Sequence, residues 1–224
     1  MKPPRRKDVA RGRKAKHAHY CPIARSLDLL GDRWTLLVLR ELLFGEQRFS
    51  ELRAELVGIS PTLLTERLEA LSDSGLISTR ELPPPAARTV YAVTPRGREV
   101  APILQSMARF GMDLLPAPTR ATRVRPEMAV YGGLTPWYDS AAASGIDEVY
   151  RLVVDGKEFT LSAVTGRRAA RERTPDLVLT TDADVLVDAR QGKRTLAEAA
   201  RRGRLSVDGR ASTLANFQRI FRLP

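Results

Sequence analysis

One cysteine, Cys21, stands among 224 residues, so no disulfide can form within the chain and a secreted scaffold stapled by cysteines is excluded. Histidine is nearly as scarce, with both copies, His17 and His19, close to the N-terminus. No Ser/His/Asp arrangement is therefore assignable. Neither a phosphate-cradling nor a dinucleotide-binding glycine motif occurs, and no enzymatic activity is expected. His17, His19 and Cys21 form an H-x-H-x-C spacing, but a tetrahedral metal site needs a fourth ligand and none stands near. Neither a metal nor any other cofactor is expected. No run of about 18 apolar residues is present, and the basic N-terminus continues into polar sequence rather than the apolar stretch of a secretory signal. A cytoplasmic, nucleoid-associated location without a membrane partner follows as the expectation.

What the chain has in excess is positive charge, a formal +11, against an apolar content of 43% that suffices for real cores. The charge is uneven. Residues 1–16 carry a net +7, residues 17–115 a net −1, and residues 116–224 a net +5. A short Lys/Arg-rich arm without apolar periodicity is expected to be disordered alone and to gain order by neutralising phosphates.

Residues 17–115 predict one domain. Ile23, Leu27 and Leu30 fall at helical spacing and predict a first helix that buries this stripe and stops at Gly31. Asp32 is placed to cap a second helix bearing Trp34, Leu37, Val38, Leu39 and Leu42, apolar over most of its girth and ending at Gly45. Ser50 is expected to cap a third, with Leu52 and Leu56 inward, before a turn at Gly58 and Ile59.

The stretch SPTLLTERLEALSDSG predicts a fourth helix with Ser60 as cap, Pro61 in the first turn and Gly75 as terminator. Leu64, Leu68 and Leu71 share one face, while Thr62, Thr65, Glu66 and Glu69 lie opposite. Two short helices joined by a tight turn, the second with a polar outer face, fit the geometry that enters a major groove. Two strands follow, Leu76–Leu82 and Thr89–Val93, around a proline-rich tip, with Arg80 and Arg88 placed to grip phosphates. Thr94 and Pro95 then open a long helix that Pro102 should bend or divide. Its Ile103, Met107, Phe110 and Leu114 suit burial against a second copy, since two-fold symmetry matches palindromic half-sites.

At CPIARSLDLLGDRWTLLVLRELLFGEQRFSELRAELVGISPTLLTERLEALSDSGLI and the later YAVTPRGREV, the chain resembles the HxlR-type winged-helix transcription regulators, over residues 21–111. The resemblance implies a homodimeric, sequence-specific regulator that binds operator sites in double-stranded DNA. It places Ser60, Pro61, Thr62, Thr65, Glu66 and Arg67 at the recognition helix, and Arg80 and Arg88 on the wing. Arg67 has alternative roles: it flanks the apolar stripe, and reaches a phosphate or base, or pairs with Glu41 or another carboxylate at the edge of the core. Cys21 sits where such regulators also carry a cysteine. Redox sensing and simple packing as a small hydrophobe both remain open for it.

The second half differs in character. Within LPAPTRATRVRP, Leu115 to Pro126, residues 116–126 supply a linker ahead of a domain over 127–224. VYRLVVDGKEFTLSAVTG predicts a hairpin turning at Asp155 and Gly156. A strand at Leu177–Thr180 precedes two helices capped by Asp182 and Thr195, with Gly192 ending the first. A strand Arg204–Val207 turning at Asp208 and Gly209 comes before a last helix whose Leu214, Phe217, Ile220 and Phe221 face the core. That mixture is α+β, following a mainly α winged helix-turn-helix domain. Through DLVLTTDADVLVDARQGKRTLAEAARRGRLSVDGRASTLANFQRIF the region 148–221 resembles the sterol-carrier-protein-like fold, which implies a tunnel for an apolar small-molecule effector. A module that only stabilises the dimer is the alternative. For the whole chain, the reading that competes with a regulator is a lipid or small-molecule binding protein that uses its winged helix for protein contacts.

Overall fold

A computed structural model describes residues 20–82, 88–116, 124–169 and 173–224. The basic arm, both histidines, the proline-rich tip and most of the expected linker lie outside the described residues. The chain divides into two compact units between Leu104 and Gln105.

The first unit contains α1 (Pro22–Leu30), α2 (Thr35–Phe44), α3 (Phe49–Glu55), α4 (Pro61–Asp73), the antiparallel strands β1 (Ile77–Leu82) and β2 (Arg88–Val93), α5 (Pro95–Arg98) and the start of α6 (Ala101–Met112). Its core is built on α2, whose Val38, Leu39 and Leu42 are buried with Leu52 of α3 and Leu64, Leu68 and Leu71 of α4. The hairpin pairs Ile77 with Val93 through to Leu82 with Arg88, and Gln47 bridges Tyr91 as a short third member. Pro102 divides the expected long helix and sits in the first turn of α6, where its missing N–H costs nothing.

Two expectations for this unit are corrected. Of the α1 stripe only Leu30 is buried, whereas Ile23 and Leu27 are exposed by 71% and 51%. Periodicity reports that a face is apolar, not what covers it. The third helix begins two residues earlier than expected, with Arg48 rather than Ser50 at the cap; the Glu51 carboxylate accepts from the Arg48 N–H at 2.7 Å.

The second unit starts within α6, where Arg109 donates to the Pro136 carbonyl and, at 3.1 Å, to Ser106 Oγ. A π-helix (Met128–Gly132) and a 3-10 turn (Thr135–Trp137) precede β3 (Val149–Val154), β4 (Lys157–Ser162), β5 (Leu177–Thr181), α7 (Ala183–Arg190), α8 (Leu196–Arg201), β6 (Leu205–Gly209) and α9 (Ala211–Ile220). The sheet runs β4-β3-β5-β6, with β3 parallel to β5 and the outer pairs antiparallel. Asp155 and Gly156 take positive φ, 47° and 79°, as a two-residue hairpin turn requires. Tyr150, Leu152, Leu161, Leu177 and Leu179 are buried with Phe217, Ile220 and Phe221; the Tyr150 ring meets Phe217 edge-on at 5.2 Å.

Three details of this unit depart from expectation or lay beyond it. The Asp182 side chain makes no capping bond, because it accepts from Arg204 Nη2 at 2.6 Å. β6 continues through Asp208 and Gly209 instead of turning there, since Gly209 pairs with Leu177. Arg190 donates to the carbonyls of Gly133 (2.7 Å), Arg222 (3.0 Å) and Phe221 (2.5 Å) and lies 4.4 Å above the Trp137 ring. Burial pushes its guanidinium down to about 10, still charged at neutral pH.

Candidate nucleic-acid interface

Alternation of buried and exposed positions along α4 gives the interface its shape. Leu64, Leu68 and Leu71 lock the helix to the core, which turns Thr62, Thr65, Glu66 and Glu69 outward as exposed residues. Ser60 caps the helix, its Oγ accepting from the Leu63 N–H at 3.2 Å, and Pro61 occupies the first turn. These two positions therefore fix where the outward face begins. Thr65 Oγ1 donates to the Pro61 carbonyl at 3.1 Å, which leaves its oxygen able to accept. Ahead of α4, Gly58 takes φ +95° in the turn from α3, a conformation that favours glycine.

Arg67 does not reach outward and does not pair with Glu41. Its side chain is 19% exposed, with Nη1 3.2 Å from Asp32 Oδ2 and Nη2 3.4 Å from Glu66 Oε2. Glu41 is fully buried and accepts from Arg40 Nε at 2.9 Å. Asp32 is itself fixed, accepting from the Trp34 N–H at 3.0 Å. The sequence allowed Arg67 a carboxylate partner at the edge of the core, and the fold supplies Asp32 rather than Glu41. Asp32 does not cap α2 as expected, because the helix begins at Thr35 with Trp34 as its N-cap residue and Asp32 lies in the turn before it.

On the hairpin, Arg80 is paired with Glu46 while remaining 59% exposed, and Arg88 is exposed at the start of β2. Thr94 joins the hairpin to α5 through its Oγ1, which donates to the Gly75 carbonyl at 2.7 Å and accepts from the Gly97 N–H at 3.1 Å. Cys21 is the N-cap residue of α1, partly exposed and free. Ile103, Met107, Phe110 and Leu114 are exposed by 44, 52, 79 and 70% respectively. No group of three or more candidate metal ligands occurs among the described residues, and none of their helices is long and apolar enough to cross a membrane.

A helix-turn-helix followed by a two-stranded hairpin is a winged helix, and residues 29–118 match the HxlR-like helix-turn-helix family. An uncharacterized HTH-type transcriptional regulator of Synechocystis is 42% identical over 97 residues, covering 43% of this chain and 72% of that protein. The chain belongs to the HxlR-like helix-turn-helix family. The likewise uncharacterized HTH-type transcriptional regulator YvaP of Bacillus subtilis is 35% identical over 94 residues, covering 42% of this chain and 87% of YvaP. Among solved structures, the reduced form of the transcriptional regulator YodB from B. subtilis covers 45% of this chain and all of YodB at 27% identity, with a TM-score of 0.39. Residues 133–222 match the SCP-2 sterol transfer family. This HxlR-like protein is thus a transcription regulator of helix-turn-helix type with a C-terminal α+β SCP-2 domain.

Proposed function

We propose that the protein is a sequence-specific regulator that binds operator DNA as a homodimer, with α4 in the major groove and the wing against the backbone. The observation that carries this reading is the outward face of α4, where Thr62, Thr65 and Glu66 stand exposed opposite a fully buried leucine stripe. Arg80 and Arg88 supply cations for phosphates. The exposed row Ile103, Met107, Phe110 and Leu114 supplies the surface for a second copy. Expected from Thr62→Ala and Thr65→Ala is a loss of about 1–3 kcal/mol of discrimination for each residue that reads a base, without a matching loss on random DNA. Gel shifts on selected and random duplexes measure this. Equal weakening on both would remove these residues from base reading.

In this reading the SCP-2 domain holds an apolar effector, and ligand occupancy would shift operator affinity by its differential affinity for two arrangements of the dimer. Linkage makes the effect reciprocal, so operator must change ligand affinity by the same factor. Titrating a fatty acid or sterol with and without operator checks it; identical affinities would leave the domain a scaffold. The thiol of Cys21 is a separate input. An oxidant response unchanged in Cys21→Ser would remove it, since the chain has no other thiol.

A further inference from the structure

The exposed charged side chains of α4 are all carboxylates. Glu66, Glu69 and Asp73 outnumber Arg67, the helix's one basic residue, and Arg67 is turned aside into its pairing with Asp32. Its guanidinium spans from a carboxylate fixed in the turn before α2 to Glu66, and so steadies a side chain that remains 57% exposed. An ionised carboxylate only accepts hydrogen bonds. In the major groove guanine presents the acceptors N7 and O6, thymine presents O4, and adenine sets its amino group beside the acceptor N7. Cytosine presents the N4 amino donor with no competing acceptor on its edge.

We propose that Glu66 is a specificity-determining residue that accepts a hydrogen bond from a cytosine amino group in each operator half-site, with Arg67 as the residue that positions it. The inference rests on α4 lying in the groove as proposed above. A carboxylate there also repels nearby phosphates, so Glu66 contributes discrimination at the expense of general affinity.

The experiment is selection from a randomised duplex library by the full-length protein and by its Glu66→Gln, Glu66→Ala and Arg67→Lys variants, with thermal unfolding as the check that each is folded. Wild type should enrich cytosine at one position per half-site, by about 5- to 150-fold over the other bases. Glu66→Gln should move the preference at that position to adenine, because an amide both accepts from N6 and donates to N7. Glu66→Ala should flatten that position and bind random DNA more tightly. Arg67→Lys should blunt the same position while sparing positions that depend on Thr62. If Glu66→Ala retains the wild-type cytosine preference, this inference fails while base reading by α4 stands. If wild type enriches no sequence at all, both fail.

Discussion

Single residues decide how α4 and the wing are held. Gly97 in α5 packs so closely that a Cβ would lie 2.1 Å from the Leu76 carbonyl oxygen and 2.6 Å from Val93 Cγ2. One of those neighbours is backbone and cannot rotate away. Gly97→Ala should therefore destabilise the first unit by about 1–3 kcal/mol, the range for an inserted methyl group, measured by urea unfolding. An unchanged midpoint would show that the hairpin yields. Other residue roles could be read directly from sequence because their partners are local: Ser60 and Thr195 cap helices three residues away from the N–H groups they accept. Arg67 could not, because its partner Asp32 is remote in the chain and only the packing of α4 on α2 brings them together. Arg190 escaped for the same reason, since its partners are carbonyls of two distant segments.

Elements were legible wherever period, cap and terminator agreed. α4, the hairpin strands, the Asp155–Gly156 turn and α9 all form close to where apolar spacing and turn residues place them. The π-helix and the 3-10 turn between residues 128 and 137 carry no comparable periodic signal and went unread. The α1 stripe was legible as apolar but not as exposed, because a sequence does not distinguish burial in its own core from burial against another chain. The same ambiguity applies to α6, and there it yields a test. If Phe110, exposed by 79%, lies in the dimer contact, Phe110→Asp buries an unpaired carboxylate in the dimer and nothing in the monomer. The variant should sediment as a monomer with its thermal midpoint close to that of wild-type protein at dissociating concentration. A variant that remains a dimer would move the contact elsewhere, with the exposed α1 face the next to examine.

For the whole molecule, two unlike halves were evident from composition, and the proline- and arginine-rich stretch suggested a boundary at residues 116–126. Contacts divide the chain between Leu104 and Gln105, inside α6, since Leu104 packs with the first core while Arg109 bonds to Pro136, whereas the two family matches, residues 29–118 and 133–222, part near the expected linker. Charge is also a whole-chain property: with residues 17–115 near neutral, affinity common to all sequences must come largely from elsewhere, above all from the +7 arm. Deleting residues 1–16 should therefore weaken binding to specific and random DNA alike and flatten the salt dependence, by about 0.9 in slope for each phosphate that the arm no longer neutralises. A truncated protein with the full salt slope would assign that affinity to the folded units. The central claim, a dimer reading a symmetric operator through α4, is tested most directly by footprinting the full-length protein on genomic fragments that it selects. The account predicts two protected half-sites related by a dyad and centred about one helical turn, or a multiple of it, apart, with protection lost in the Thr62→Ala, Thr65→Ala double variant. Uniform protection without a dyad, equally strong in that variant, would contradict it.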